Sequence, residues 1–255
     1  MVFSRRTNQS LGEKLNTSNN TVLITGGTSG IGLALAKKFL SKDNCVIVTG
    51  RDQEKLARVQ ADFPKIITYT ADMSRFEDVE QLAGRFTDTN ILINNAGVQY
   101  NYDFADPTIS MDYVKKELQT NLVGPLLLIR LMLPHLMTKQ TAAIVNVSSG
   151  LGIVPKQSAP VYCGSKAGLH LFTKSLRWQL EDSRIKVFEI IPPIVETAMT
   201  QGRGKGKISP EILVEEFWSG FQNDKYEMAI GRTKLLVFIN RFLPKLADRI
   251  MRNGL

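Results

Sequence analysis

The stretch Thr21-Val22-Leu23-Ile24-Thr25-Gly26-Gly27-Thr28-Ser29-Gly30-Ile31-Gly32 decides how this chain is read. Its first four residues are apolar or β-branched and of strand length. A glycine-rich turn follows, and from there to Leu40 apolar residues recur at helical spacing. Glycines permit a tight turn and a close approach of backbone to ligand. The unpaired amides and positive dipole end of the helix that follows attract a pyrophosphate. The spacing is T-G-x-x-x-G-x-G rather than G-x-G-x-x-G, so the turn alone reads either as a plain connection or as a phosphate cradle. As a cradle, its contacts are Gly26, Thr28, Ser29, Gly30, Ile31 and Gly32.

Working outward, apolar runs of strand length recur at Cys45 to Val48, Lys65 to Tyr69, Ile91 to Ile93, Ala143 to Val147, Lys186 to Ile191 and, more weakly, Tyr226 to Ile230. Longer segments with helical spacing separate them. Short apolar strands alternating with helices predict crossover units and a parallel sheet covered on both faces. The expected fold is α/β: a single-domain Rossmann fold, with a doubly wound seven-stranded parallel sheet, helices on both faces and a small C-terminal region. A flexible extension is expected over residues 1–20 and the Rossmann domain over 21–255.

At 255 residues with 43% hydrophobic content, the chain can bury a full core and has the length of one α/β domain. No run approaches the roughly 20 uncharged apolar residues of a membrane span. Met1 to Asn20 holds no apolar run resembling a signal peptide, so a cytoplasmic protein is expected. Cys45 and Cys163 fit neither a metal-ligand spacing nor a disulfide framework, and no metal is expected. The net charge of +8 suits nucleic acid, an anionic membrane or phosphorylated ligands. The basic residues are spread along the chain and no nucleic-acid motif is present, so no nucleic-acid partner is expected.

Downstream of the glycines stand Asn94-Asn95-Ala96-Gly97 after the fourth strand, Asn121 in a later helix, Ser149 after the fifth strand, and Tyr162-Cys163-Gly164-Ser165-Lys166, a Y-x-x-x-K motif. In order and spacing this set resembles the short-chain dehydrogenase/reductase family, over roughly Asn20 to Thr200. The resemblance implies an oxidoreductase that moves hydride between a nicotinamide dinucleotide and a small-molecule carbonyl or alcohol. It implies that Asp72 and the Met73 backbone hold the adenine, that Asn95, Ala96 and Gly97 line the adenosine ribose, and that Pro192, Ile194 and Thr197 border the nicotinamide. The chain departs from the family at Pro192-Pro193, where Pro-Gly is usual, and Pro193 removes an amide there. Around Tyr162 and Pro192 it is similar to a bacterial subgroup sometimes encoded with lipoteichoic-acid D-alanylation genes.

An acidic group at the end of the second strand would pair with an NAD ribose, but that place holds Gly50-Arg51-Asp52. An arginine can fork onto a 2′-phosphate that a carboxylate would repel, so NADP(H) is favoured over NAD(H). The opposing reading has Asp52 capping the helix that starts near Gln53, with Arg51 in solvent. Asp72 has the same alternative, as a helix cap.

Tyr162 and Lys166, four apart in a helix, emerge on one face. An ammonium about 4 Å from the phenol is worth roughly 4 kcal/mol at an effective dielectric near 20, which would bring the tyrosine down to about 7 to 8. Such a phenol exchanges a proton with a carbonyl or alcohol oxygen. Ser149, with Ser148 as its local rival, can donate a hydrogen bond to that oxygen. Pro125 has no N–H for the Asn121 carbonyl in an α-helical bond, which leaves that carbonyl free. By resemblance, Lys166 also holds the nicotinamide ribose, and the Asn121 carbonyl holds a relay water.

The family places a substrate lid near 198–222. Here Gln201-Gly202-Arg203-Gly204-Lys205-Gly206-Lys207 is a flexible basic run, and Ser209-Pro210-Glu211 opens a helix to about Phe221. Its cations either close over an anionic substrate or lie in solvent. The tail, near 233–255, is basic and amphipathic. It suits an anionic membrane surface or burial over the cleft or a subunit interface, of which burial is favoured. A homodimer or homotetramer through the helices around Asn121 and Tyr162 is implied by resemblance, while core packing explains the apolar run Leu126 to Ile129 equally well. The competing function is a non-catalytic NADP(H)-binding sensor or interaction protein.

Overall fold

In a computed structural model of the chain, residues 15–252 are described. Seven strands alternate with helices along them: β1 Thr21–Thr25, β2 Cys45–Gly50, β3 Ile66–Thr70, β4 Ile91–Asn94, β5 Ala142–Val147, β6 Ile185–Ile191 and β7 Glu227–Ala229. All pair in parallel, in the order β3-β2-β1-β4-β5-β6-β7. The expected doubly wound seven-stranded sheet is therefore the fold. The order reverses beside β1, and the crevice outside the carboxyl ends of β1 and β4 is where such sheets bind ligands.

The two-residue period of the strands sorts their side chains into two cores. Val22, Ile24, Ile91, Ile93, Ala143 and Val145 face one layer. Leu23, Leu92 and Ile144 face the other. The first layer is covered by α1 Gly30–Leu40, α2 Gln53–Asp62 and α7 Pro210–Gln222. Phe39 of α1 meets Trp218 and Phe221 of α7 edge-on, with ring centroids 5.0 and 5.7 Å apart. The second layer is covered by α3 Phe76–Arg85, α5 Gly124–Leu136 and α6 Pro160–Gln179, with α4 Met111–Leu118 leading into α5. Leu128 and Ile129, of the apolar run noted in the sequence, are buried in this core.

Of the extension expected over 1–20, residues 1–14 lie outside the described residues. From Leu15 onward the expectation of a segment apart from the fold fails. Leu15 is buried in the core, and Asn20 donates to Asn44 and accepts from Asn90, so the polar run Asn16 to Asn20 is tied to the base of the sheet. An asparagine-rich stretch looks like a linker by composition, but these amides satisfy one another across the starts of β1, β2 and β4.

The tail forms two helices, α8 Thr233–Phe242 and α9 Pro244–Met251, broken where Pro244 starts anew. They divide the apolar residues. Leu236, Ile239, Ala247 and Met251 pack inward against Val154. Leu235, Phe238, Phe242, Leu243, Leu246 and Ile250 are exposed. Of the favoured expectation, burial over the cleft or a subunit interface, the cleft accounts for the inner set. Among the described residues no helix is long and apolar enough to cross a membrane.

Candidate active site

A cleft of about 410 Å³ opens at the carboxyl ends of the strands, and almost every residue singled out in the sequence lines it. On its floor lies the glycine turn. Gly26 and Gly30 have φ of +66° and +53°, and a Cβ at Gly26 would lie 2.8 Å from the Ala96 Cα. A Cβ at Gly32 would lie 2.3 Å from the Gly26 carbonyl. Only glycine folds the turn this tightly. Ser29 precedes α1 with extended backbone and makes no side-chain cap, and the first turn of α1 carries no acid. The first amides of α1 are left for a ligand, which is the geometry a pyrophosphate requires. The residues present therefore fit a dinucleotide cofactor.

At one wall, Asp52 caps α2 by accepting from the Lys55 amide at 3.1 Å. That hydrogen bond, with the nearby Lys55 ammonium, holds its carboxyl below the usual range. The capping half of the opposing reading is thus correct, and Arg51, though exposed, lines the cleft together with Lys55. Lys55 escaped the sequence reading. Its signal was its place three residues after the cap, in the first turn of α2, where its ammonium lies 3.6 Å from the Asp52 carboxylate.

Asp72 caps no helix, since α3 starts behind Arg75. Burial works against the Asp72 carboxylate, but the amide and hydroxyl of Ser74 donate to it at 2.9 and 2.7 Å. With Arg51 and Lys116 nearby, the balance holds its carboxyl below the ordinary value. Met73 lies beside it, and a Cβ at Gly124 would lie 2.2 Å from the Met73 carbonyl. Thr25 Oγ1 accepts from the amides of Asn95 and Ala96, and Asn95 Nδ2 donates to the carbonyls of Thr25 and Gly26. Those bonds lock the β4 loop onto the glycine turn.

Ser149, Tyr162 and Lys166 converge at the far end of the cleft. Ser148, the rival, is turned inward and donates to the Ile190 carbonyl. Ser149 follows β5, and its hydroxyl lies next to the phenol of Tyr162. Asn121 sits in a five-residue π-helical segment, Gln119–Val123, that no sequence pattern announced. Its amide donates to the Val98 carbonyl and its Oδ1 accepts from the Val98 amide, both at 2.8 Å. A Cβ at Gly97 would lie 3.3 Å from Asn121 Oδ1 and 3.7 Å from Lys166 Nζ, so all three crowd one corner.

The electrostatics of this corner correct the sequence reading. Lys166 Nζ donates to the Val147 carbonyl at 2.7 Å, and burial brings the lysine down to about 8, with Glu189 resisting. Burial pushes Tyr162 up to about 12, against a lowering contribution from Ser149. The expected descent to about 7 to 8 counted the attraction of an ammonium and omitted the cost of taking the phenolate out of water, which here wins.

On the nicotinamide side, Pro192, Pro193, Ile194 and Thr197 all line the cleft, and the Gly150 amide donates to the Pro192 carbonyl. Thr197 presses on the glycine turn, 2.8 Å from where a Gly30 Cβ would stand. In the lid, Gly202, Gly204 and Gly206 all have positive φ. Of its three cations, Arg203 lines the cleft while Lys207 donates to the Thr200 carbonyl at 2.6 Å and is spent there. Lys156 and Arg232, from outside the lid, add two cations to the lining.

A model of the short chain dehydrogenase family matches residues 20–207, and this chain belongs to that family. The chain is 40% identical to a Bacillus subtilis protein named uncharacterized oxidoreductase DltE, over 85% of this chain and 90% of that one. It is 34% identical to a serine 3-dehydrogenase of Agrobacterium fabrum, over 74% of this chain and 77% of that one. A Burkholderia cenocepacia short chain dehydrogenase solved in complex with NADP superposes with a TM-score of 0.84 at 23% identity, covering 92% of this chain and 98% of that one. The chain is accordingly an oxidoreductase by family, of the class acting between CH–OH and C=O groups.

Proposed function

We propose that this protein is an NADP(H)-dependent reductase or alcohol dehydrogenase for a small molecule, with Tyr162 as the acid/base. The carrying observation is that Ser149, Tyr162 and Lys166 line the same cleft as an uncapped helix start behind a glycine cradle, with Asn121 buried behind it beside Gly97 and Lys166. NADP(H) supplies or accepts the hydride; the chain manages binding and the proton. The α1 amides with Gly26, Thr28, Ser29, Gly30, Ile31 and Gly32 hold the pyrophosphate. Asp72 and Met73 border the adenine, and Asn95, Ala96 and Gly97 the adenosine ribose.

Arg51, seconded by Lys55, reads the 2′-phosphate. Asp52, the acid beside it in the chain, is committed to the α2 cap. A Salmonella typhimurium relative, 27% identical, is named as NADP-dependent. A fold neighbour from Burkholderia phymatum was solved with NAD, so the fold admits both cofactors and the residues at β2 decide.

In the reduction direction Ser149 donates a hydrogen bond to the carbonyl oxygen, and Tyr162 Oη gives that oxygen its proton. Burial keeps the phenol protonated, which is the form this direction needs. Lys166 Nζ, which donates to the Val147 carbonyl, holds the nicotinamide ribose, and the Asn121 carbonyl holds a water through which the Tyr162 proton is replaced. Pro192, Ile194 and Thr197 fix the nicotinamide. Arg203, Lys156 and Arg232 make an anionic substrate the favoured class. A sensor that does no chemistry would call for the loss of one of Asn121, Ser149, Tyr162 or Lys166, and the sequence keeping all four favours the enzyme.

Association through the outer faces of α4 to α6, where Leu118, Val123, Leu171 and Trp178 are exposed, would give the dimer or tetramer. A cytoplasmic setting suits the free thiols of Cys45 and Cys163. The deciding experiment is Tyr162→Phe, assayed by NADPH oxidation over a panel of small aldehydes, ketones and keto acids. Turnover should fall by about a hundredfold or more while NADPH affinity stays within about twofold. Unchanged turnover would remove Tyr162 from the mechanism.

A further inference from the structure

The outer face of α8 and α9 serves none of the roles above. Leu235, Phe238 and Phe242 are each 61% exposed, and Leu243, Leu246 and Ile250 continue the ridge. The rings of Phe238 and Phe242 lie against each other, centroids 4.9 Å apart. Single exposed apolar residues are ordinary, but a contiguous ridge marks an interaction surface. Around it stand Arg241, Lys245, Arg249 and Arg252, all exposed, against one carboxylate of these helices, Asp248. Arg241 reaches over the Phe242 ring, and Lys234 is paired to Glu216.

We propose that α8 and α9 dock the protein onto an anionic lipid bilayer surface. Apolar side chains fringed by cations are what an interfacial helix presents: the ridge enters the boundary of headgroups and acyl chains, and the cations meet lipid phosphates. Helices of 10 and 8 residues lie on such a surface and cannot span it. A second copy of the chain is the poorer occupant. Across a two-fold axis the patch would face itself, bringing two sets of four cations together with a single carboxylate each. The same helices border the cleft through Thr233, Leu236 and Met251, so the docked protein holds its cleft beside the lipid headgroups.

The test is co-sedimentation of the full chain with extruded vesicles, of phosphatidylcholine alone or mixed equally with phosphatidylglycerol. Binding to the anionic vesicles should exceed binding to neutral ones by about tenfold or more. It should collapse in 1 M salt, where the screening length is about 3 Å. The variant Phe238→Ser/Phe242→Ser/Leu246→Ser should bind anionic vesicles about tenfold more weakly or worse, at an unchanged circular dichroism spectrum. Lys245→Glu/Arg249→Glu keeps the ridge and should lose the preference for anionic lipid. No binding to anionic vesicles, equal binding to both kinds, or undiminished binding of both variants overturns the proposal. So does a wild type that ignores vesicles while the serine variant drops to a smaller assembly by light scattering, since the ridge would then be a self-interface.

Discussion

At the scale of single residues, the chemistry rests on where buried charges find partners. Tyr162 and Lys166 are moved in opposite directions by the same burial, up to about 12 and down to about 8. One turn further along α6, His170 meets the fully buried carboxylate of Glu189 at 2.9 Å. That hydrogen bond raises the imidazole above 6.5, against burial, with Glu227 adding to the rise and Lys174 opposing it. A group raised on folding contributes stability that is complete below its unfolded value and fades as pH climbs through its folded one. The stability gap between wild type and His170→Gln, measured by urea melts, should therefore be widest below about pH 6.5 and narrow above it. A gap that stays constant from pH 5.5 to 8.5 would show that the imidazole stays in one charge state.

At the scale of elements, the strand, turn and helix that opened the sequence reading position the whole cofactor side. The turn tolerates no side chain at Gly32, where a Cβ would meet the Gly26 carbonyl and Asn95 Nδ2, whereas Gly84 in α3 faces open space. Gly32→Ala should cost about 1–3 kcal/mol of stability and abolish NADPH binding, because the atoms in the way are backbone and a locking amide. Gly84→Ala should leave binding intact and stabilise by roughly 0.5–1 kcal/mol. Thermal melts with and without NADPH check both, and a benign Gly32→Ala would mean that the cradle is not held by close contact. The tail is the opposite case. Its amphipathic pattern announced helices, but periodicity does not say which of two apolar faces turns inward. Leu236 went to the cleft and Phe238 to the surface because Val154, distant in sequence, was waiting on one side only.

At the scale of the molecule, the sheet was legible because parallel strands buried on both faces are written as short apolar runs, and Ile91 to Ile93 or Ala143 to Val147 have no other plausible use. The glycine turn and the Tyr162-to-Lys166 pair each span few residues, and the topology then gathers them with Ser149 at one edge of the sheet. Lys55, the π-helical segment around Asn121, and the bond from Lys166 to the Val147 carbonyl were not legible. Each depends on how helices seat against strands, which local spacing does not encode. The anchoring of Leu15 to Asn20 was hidden for the same reason, since the partners Asn44 and Asn90 lie far along the chain.

The cofactor assignment joins all three scales, and calorimetric titration of the purified protein and of Arg51→Ala with NADPH and NADH tests it most directly. The wild type should bind NADPH at least about tenfold tighter than NADH, and Arg51→Ala should lose about 1.5–3 kcal/mol toward NADPH with little change toward NADH. Tighter binding of NADH, equal losses for both cofactors, or no binding of either would contradict the account.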